Sequence, residues 1–345
     1  MDELETALLT ANKNSLSDVG SVLDRMDAVL GAAVESERDP TGALGRQTVP
    51  PEMQRRMGGW VTGAVAAMVR LQARDQDPRV DEMLDRLAAL NADIARLTGD
   101  APALVKTWRF TENLTVDIKE LSFEEAAFGW QTWVAGVVFA HLLARGVIPV
   151  GTDPILELGC GTGIVGIVAA KMGAKRVFMT DYMPAIQANT QSNVDSNQCQ
   201  HVATVHSLDW SWIAENTPIP KDSATLLPQL LDTNSSFDVI FGADICYELI
   251  HGRLVPPVCA RFLSLSPNAR IYFVTGLRGE RFAQDIVQFE EKMTLFGFQP
   301  ETCLDLSLDA LLAQETDSFA RNLLNAAFST LVKQFRFYVY RRIMT

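Results

Sequence analysis

The stretch ILELGCGTGIVG, from Ile155 to Gly166, constrains this chain more than any other. A short apolar run meets three glycines at alternate positions, Gly159, Gly161 and Gly163, and apolar residues then resume at helical spacing. That pattern predicts a buried strand, a tight turn and a helix. Glycine lets backbone approach a ligand where a side chain would collide, and the free amides at the helix start face a negative group. A carboxylate or a phosphate suits that place.

Gly161, Gly163 and Gly166 also spell G-x-G-x-x-G, so the glycines alone do not separate a nicotinamide dinucleotide from another adenosyl cofactor. Glu157 tips the balance. An acid at the end of the strand, just ahead of Gly159, repels a diphosphate and attracts an ammonium. E-x-G-x-G-x-G therefore suits a ligand that ends in an amino acid.

The rest of the composition narrows the class. With 345 residues, 48% hydrophobic and 21% charged, the chain is long enough for one large globular domain and a smaller one. A formal charge of -12 argues against a nucleic acid as direct partner, because such binding draws on clustered Lys and Arg. A basic protein substrate fits better. The five cysteines, Cys160, Cys199, Cys246, Cys259 and Cys303, form no paired C-x-x-C and read as reduced thiols. The four histidines show no metal-ligand spacing, so no metal is expected. Acids at Asp2, Glu3 and Glu5 are the wrong charge for a leader, and no apolar run matches a bilayer. The expected compartment is the cytoplasm, with the nucleus open.

Along the chain, Leu16, Val19, Leu23, Met26 and Leu30 form one amphipathic stripe behind a Ser15-to-Asp18 capping signal. Met53 to Leu71 and Val80 to Leu97 carry two more. These predict a helical domain over residues 1–105 that carries no chemistry of its own. From Trp108 the texture alternates, predicting one or two strands and a second domain over residues 106–345. The run Gly129 to Trp133 then leads into a helix, with Trp133 either anchoring it in the core or lying beside the cofactor.

Beyond the glycines, each predicted strand ends on a group able to hold a ligand. Asp181 closes the second strand, where ribose hydroxyls need an acceptor; capping the helix that opens at Pro184 is the plainer role. Asp209 and Trp210 close the third, placed to meet an adenine amine and flank its ring, or simply to cover the sheet edge. The fourth, Phe237 to Ala243, is almost wholly apolar and ends at Asp244 and Tyr247. Ligands of an open parallel sheet sit beyond the carboxyl ends of its strands, so Asp244 and Tyr247 are the candidates for the reacting centre, against capping and packing as alternatives. Residues 213–236 read as an irregular insertion. Strands over 270–275 and 298–306, a helix over 311–331 and a final antiparallel strand over 335–340 complete the order, with the Arg and Tyr residues of that strand on an outer face.

Taken together, Ile155 to Gly166, Asp181, Asp209-Trp210 and Asp244-Ile245-Cys246-Tyr247 resemble the ordered motifs of the class I, seven-strand protein-lysine methyltransferases. The D-x-x-Y ending is the most telling, since enzymes that methylate amino groups of nucleic acids carry prolines at that place. The Gly129 to Trp133 run is similar to the branch that includes the elongation factor 2 lysine methyltransferase. The resemblance implies an α/β fold, a Rossmann-like doubly wound seven-strand sheet with an antiparallel last strand, behind the N-terminal helical domain. It implies S-adenosylmethionine as cofactor, a protein substrate that could be an elongation factor, and no membrane. Glu157, Gly159, Gly161 and Gly163 would hold the methionine end, Asp181 the ribose, and Asp209 with Trp210 the adenine. Trp133 would lie near the cofactor, Ala243 would offer its carbonyl to the amino group, and Asp244 and Tyr247 would border the lysine channel. The chain departs from the family in its long segment between strands three and four and in extra helix before the last strand. Three other readings stay open: methylation of a small molecule or nucleic acid, a non-catalytic adaptor that binds the cofactor, and a nicotinamide enzyme.

Overall fold

The computed structural model describes residues 7, 15–38, 57, 60, 64, 79, 83, 86, 105–121, 131–219, 225–228, 236–247, 249–277, 280–327 and 334–343. The chain divides into two compact units, Met1–Pro102 and Ala103–Thr345. In the first, helix α1 (Leu16–Arg38) opens on Ser15, whose hydroxyl oxygen accepts from the Asp18 amide at 3.4 Å. Val19, Leu23 and Met26 are fully buried, as are Met57 and Ala64. Of the second and third predicted helices only Met57, Trp60, Ala64, Arg79, Met83 and Arg86 are described, all helical; the remaining stripe residues lie outside the described positions.

The second unit begins with a hairpin, β1 (Val105–Arg109) and β2 (Thr115–Lys119), paired antiparallel as a sheet of its own. Its helices and strands then alternate: α2 (Val134–Ala144), β3 (Ile155–Leu158), α3 (Ile164–Lys171), β4 (Val177–Asp181), α4 (Pro184–Ser196), β5 (Ala203–Ser207) and the short α5 (Ser211–Ala214). After the insertion come β6 (Val239–Ala243), α6 (Leu249–Phe262), β7 (Arg270–Gly276), α7 (Glu280–Leu295), β8 (Phe298–Ser307), α8 (Leu308–Gln314), α9 (Ser318–Ala327) and β9 (Gln334–Arg342). Seven strands form one sheet in the order β5-β4-β3-β6-β7-β9-β8. The first five are parallel and β9 runs antiparallel to both its neighbours. That is the doubly wound, Rossmann-like sheet with an antiparallel last strand. Strand order reverses at β3, which pairs with β4 on one side and β6 on the other, so the crevice beyond its carboxyl end is the natural ligand site.

Two apolar layers cover the sheet, one including Val137, Val138, Ile167 and Phe337, the other Val255, Phe262, Phe289 and Tyr338. β3 is buried at every position, Glu157 included, as befits a strand covered on both faces. Helix α6 packs closely on α7 at Gly252, where a β-carbon would stand 3.4 Å from the Phe289 amide.

Two expectations are corrected. The tyrosines of β9 do not lie on an outer face: β9 pairs with β7 and with the edge strand β8, and Tyr338 and Tyr340 are buried under α7 with their rings against Phe289. The Tyr338 hydroxyl donates to Glu290 at 2.7 Å, which satisfies the one polar atom that burial would strand. The single helix expected over 311–331 is two helices, α8 and α9, broken at Glu315. Asp317 caps the second helix, its Oδ1 accepting from the Phe319 and Ala320 amides, and Glu315 is held by residues outside the segment. Glu315 is buried and accepts a two-pronged contact from Arg145, at 2.8 and 2.7 Å, with His141 3.3 Å away on the same face of α2. Burial holds the His141 imidazole below its usual range, so Arg145 is the cation that neutralises Glu315. Residues 328–331 of that expected helix lie outside the described positions.

Of Arg145 and Glu315 only Glu315 is buried; Arg145 reaches solvent and keeps Asp317 at 3.7 Å when Glu315 is removed. Glu315→Ala should therefore cost about 1.5 kcal/mol, the loss of a charge-assisted hydrogen-bonded contact, read as a lower urea midpoint at unchanged m-value.

Candidate active site

The glycine turn forms as the sequence predicts and is held more tightly than glycine content alone explains. Gly159, Gly161 and Gly163 all have positive φ, and Gly163 is the N-cap of α3 at φ 86°. A β-carbon at Gly163 would stand 2.7 Å from Thr190 and 2.8 Å from Met179, so only glycine fits. Gly161 is different: nothing lies within 4 Å of where its β-carbon would be. The space above the turn at Gly161 is therefore open.

Every polar side chain around the turn reaches its backbone. The Gly161 amide donates to Asp181 Oδ2 at 3.3 Å, and the Thr190 hydroxyl approaches the Gly161 carbonyl. Asn193 Nδ2 donates to the Thr162 carbonyl at 2.9 Å, and the Gly163 amide returns to Cys160 at 2.8 Å. Thr190 and Asn193 come from the buried face of α4. Sequence reasoning missed both, although polar residues at 189, 190, 193 and 197, spaced as one helix face, were the signal that could have found them.

Glu157 lies beneath the turn, 3% exposed. Burial pushes its carboxyl up to about 8; the Gly166 amide pulls it down and the nearby Asp181 charge raises it further. Gly166 is the third residue of α3, whose amide has no partner inside the helix, so Glu157 caps that helix from the strand. Oε2 of Glu157 is buried with no partner among the described residues. A β-carbon on Gly166 would come 2.5 Å from that atom, which explains the glycine there. Asp181, 8% exposed, is pushed up to about 6 by burial against the pull of the Met183, Gly161 and Tyr182 amides. Its Oδ1 accepts from Met183 at 3.2 Å, so the carboxylate braces the chain just ahead of α4 as well as the glycine turn.

The later residues divide into two groups. Trp210 flanks the turn, its ring 3.4 Å from where a Gly159 β-carbon would be, and meets His251 edge-on at 5.7 Å between centroids. Tyr247 meets the same His251 at 4.3 Å. His251 was not foreseen; it stands four residues after Tyr247, and burial lowers it to about 4, so it is neutral at physiological pH. Asp209 accepts from the Ser211 amide at 2.8 Å, which closes the turn into α5. Asp244, at φ 57° and 7% exposed, ties β6 to β7: its amide donates to Val274 and its Oδ1 accepts from Gly276 at 3.2 Å. Asp and Asn tolerate that left-handed backbone better than most residues, and such outliers gather at functional sites. Ala243, half-buried, precedes it at the end of β6.

Trp133 does not anchor the core. It is the N-cap of α2 and 37% exposed, while the residue before it, Thr132, places its hydroxyl 3.0 Å from that of Thr162 in the glycine turn. Gly129 and Trp130 lie outside the described residues.

The donor set fits an amino acid cofactor. Glu157 supplies an orphaned buried oxygen, Gly161 supplies room, and Asp181 supplies a second acid at the neighbouring strand end. Two buried acids beneath one turn are a poor setting for a pyrophosphate. S-adenosylmethionine, when bound, supplies a methyl group on a sulfonium and so makes an amine a sufficient nucleophile.

Comparisons with known proteins give the family. A family model described as lysine methyltransferase matches residues 111–274. Protein N-lysine methyltransferase METTL21A of Mus musculus is 32% identical over 53% of this chain and 76% of its own length. Its Danio rerio counterpart is 36% identical over 33% of this chain and 46% of its own length, so the match spans under half of that protein. Protein-lysine N-methyltransferase rrg1 of Schizosaccharomyces pombe is 27% identical over 65% and 70%. The chain belongs to the seven-strand, S-adenosylmethionine-dependent protein-lysine methyltransferase family.

Proposed function

We propose that the crevice beyond β3, β4 and β6 binds S-adenosylmethionine against the glycine turn and receives a protein lysine between Asp244 and Tyr247. The observation that carries this reading is Trp210, which touches the turn at Gly159 and reaches Tyr247 through His251. One wall thus serves both halves of the site. Glu157 and the glycine turn hold the methionine end, Asp181 the ribose, and Trp210 with Asp209 the adenine, with Ala243 and Trp133 at the margins.

A lysine near pKa 10.4 must be neutral before it can attack, and at pH 7 that costs about 4.6 kcal/mol at 1.36 per unit. Aromatic walls favour the neutral amine by excluding water, whereas the Asp244 carboxylate favours the charged one. Asp244 therefore acts by orienting the amine, from a backbone fixed by β7. The substrate is a protein. An elongation factor is the finer proposal, and it rests on the resemblance of the Gly129 to Trp133 run alone. The five free cysteines suit a reducing compartment, and the cytoplasm is proposed on that ground. No described helix is long and apolar enough to cross a membrane.

The test is incubation of the protein with methyl-labelled S-adenosylmethionine and lysate from cells lacking it, followed by mass spectrometry of the labelled species. Label on one lysine of a protein supports the reading; label only on nucleic acid or small molecules overturns it. Asp244→Asn keeps the acceptor and the tolerated backbone but loses the charge. It should lower kcat about a hundredfold while leaving cofactor Kd within about threefold. Equal loss of both would contradict an orienting role.

Cofactor binding should also release a proton. Glu157 is mostly neutral at pH 7 because its carboxyl titrates near 8, and an arriving ammonium favours the ionised form. Affinity should then rise with pH from about 5 and level off above about 8, before the ammonium itself titrates. Calorimetry in buffers of different ionisation heat reads this directly, and Glu157→Gln should abolish it. For the ligand-free fold the sign is opposite. Raised above its unfolded value, Glu157 contributes stability fully present below about 4.5 and lost as pH climbs to about 8.

A further inference from the structure

A closed circuit of hydrogen bonds runs beside the glycine turn, and nothing in the reaction uses it. Asn193, 1% exposed, accepts from the Lys119 amide at 2.8 Å and donates to the Thr162 carbonyl at 2.9 Å. Lys119 is followed by Glu120, 4% exposed, whose Oε1 accepts from the Thr132 amide at 2.8 Å. The Thr132 hydroxyl stands 3.0 Å from the Thr162 hydroxyl, which closes the ring. Four separate elements meet in it: β2, α4, the segment entering α2, and the turn.

We propose that this ring is a positioning device that sets the glycine turn and the backbone of Trp133 for S-adenosylmethionine, with Thr132 and Asn193 as its working residues. The inference rests on the cofactor reading above. Three features argue for it. The ring fixes the carbonyl of Thr162, the residue between Gly161 and Gly163, and so fixes the plane of the peptide it shares with Gly163. Thr132 is joined directly to Trp133, so the ring sets the backbone from which that exposed indole projects. The hydrogen bond from Thr132 to Glu120 spans twelve positions of chain, so the geometry is imposed by tertiary structure and not by a local turn.

A shell that holds a binding loop acts on affinity, because an unbraced loop must be ordered when the ligand arrives. Asp244 is tied instead to Val274 and Gly276, and the Tyr247 ring meets His251. Loss of the hydrogen-bonded ring should therefore change cofactor affinity and leave the orientation of the lysine alone.

The contrast between Thr132→Val and Thr132→Ser isolates the hydroxyl, since valine keeps the shape and serine keeps the oxygen. Thr132→Val should weaken S-adenosylmethionine binding about fivefold by calorimetry, with kcat at saturating cofactor within about twofold; Thr132→Ser should stay near the parent. Thr162→Val should behave like Thr132→Val, and the pair together should be no worse than either alone. In the ligand-free protein, Thr132→Val should speed amide exchange at residues 161–163 without lowering the thermal midpoint by more than a few degrees. Unaltered binding in Thr132→Val, equal losses in the valine and serine variants, or additive losses in the pair would each overturn the proposal. If the parent protein itself fails to bind S-adenosylmethionine, the cofactor reading falls, and the proposal with it. Unaltered binding in the variant beside a parent that binds removes the ring alone.

Discussion

The active site depends on burying two carboxylates under a turn of bare backbone. Charged groups leave water only at considerable cost, and Glu157 and Asp181 meet that cost with amides: Gly166 for the first, and Gly161, Met183 and Tyr182 for the second. The compensation is incomplete. Both acids stay above their ordinary pKa, and one oxygen of Glu157 has no partner among the described residues. The same arrangement dictates the glycines, because a side chain at Gly166 would occupy the space of the carboxylate and one at Gly163 would strike α4.

Around that centre the fold uses side-chain amides where a strand would ordinarily supply backbone. Asn193 and Asn197 of α4 each pair with both the amide and the carbonyl of a residue on β2, Lys119 and Asp117 respectively, as a neighbouring strand would. Asn189 adds a second donor to the Lys119 carbonyl. The hairpin edge is thereby closed, which protects it from pairing elsewhere. It is also held in register with the helix that braces the turn. On the other side of the hairpin, Arg109 stacks over the Phe319 ring at 3.7 Å and so ties β1 to the helices inserted before β9.

Much of this was legible in the sequence because the signals are local. The strand, turn and helix around Gly159 to Gly163 follow from hydrophobic pattern and glycine spacing, and the acids that end the next strands follow from the same logic. The roles of particular side chains were less legible. Asp209 and Asp244 stand at the strand ends, and each accepts from a backbone amide there, that of Ser211 and that of Gly276. Tyr338 and Tyr340 alternate as an exposed face would, but a helix arriving from elsewhere covers them. Glu315, at the break in the helix expected over 311–331, pairs with Arg145, 170 positions away. No local pattern encodes that attraction.

The sequence by itself determined the sheet, the place of the crevice and the kind of ligand that an acid beside three glycines accepts. These rest on periodicity and on backbone freedom, which each short stretch carries within it. Only the tertiary structure decided which polar groups are buried, which partners they find, and which aromatic rings share a wall. Those outcomes depend on distances between residues far apart in the chain, and His251 between Trp210 and Tyr247, or Thr132 against Thr162, exists as a contact only once the sheet has brought its strand ends together.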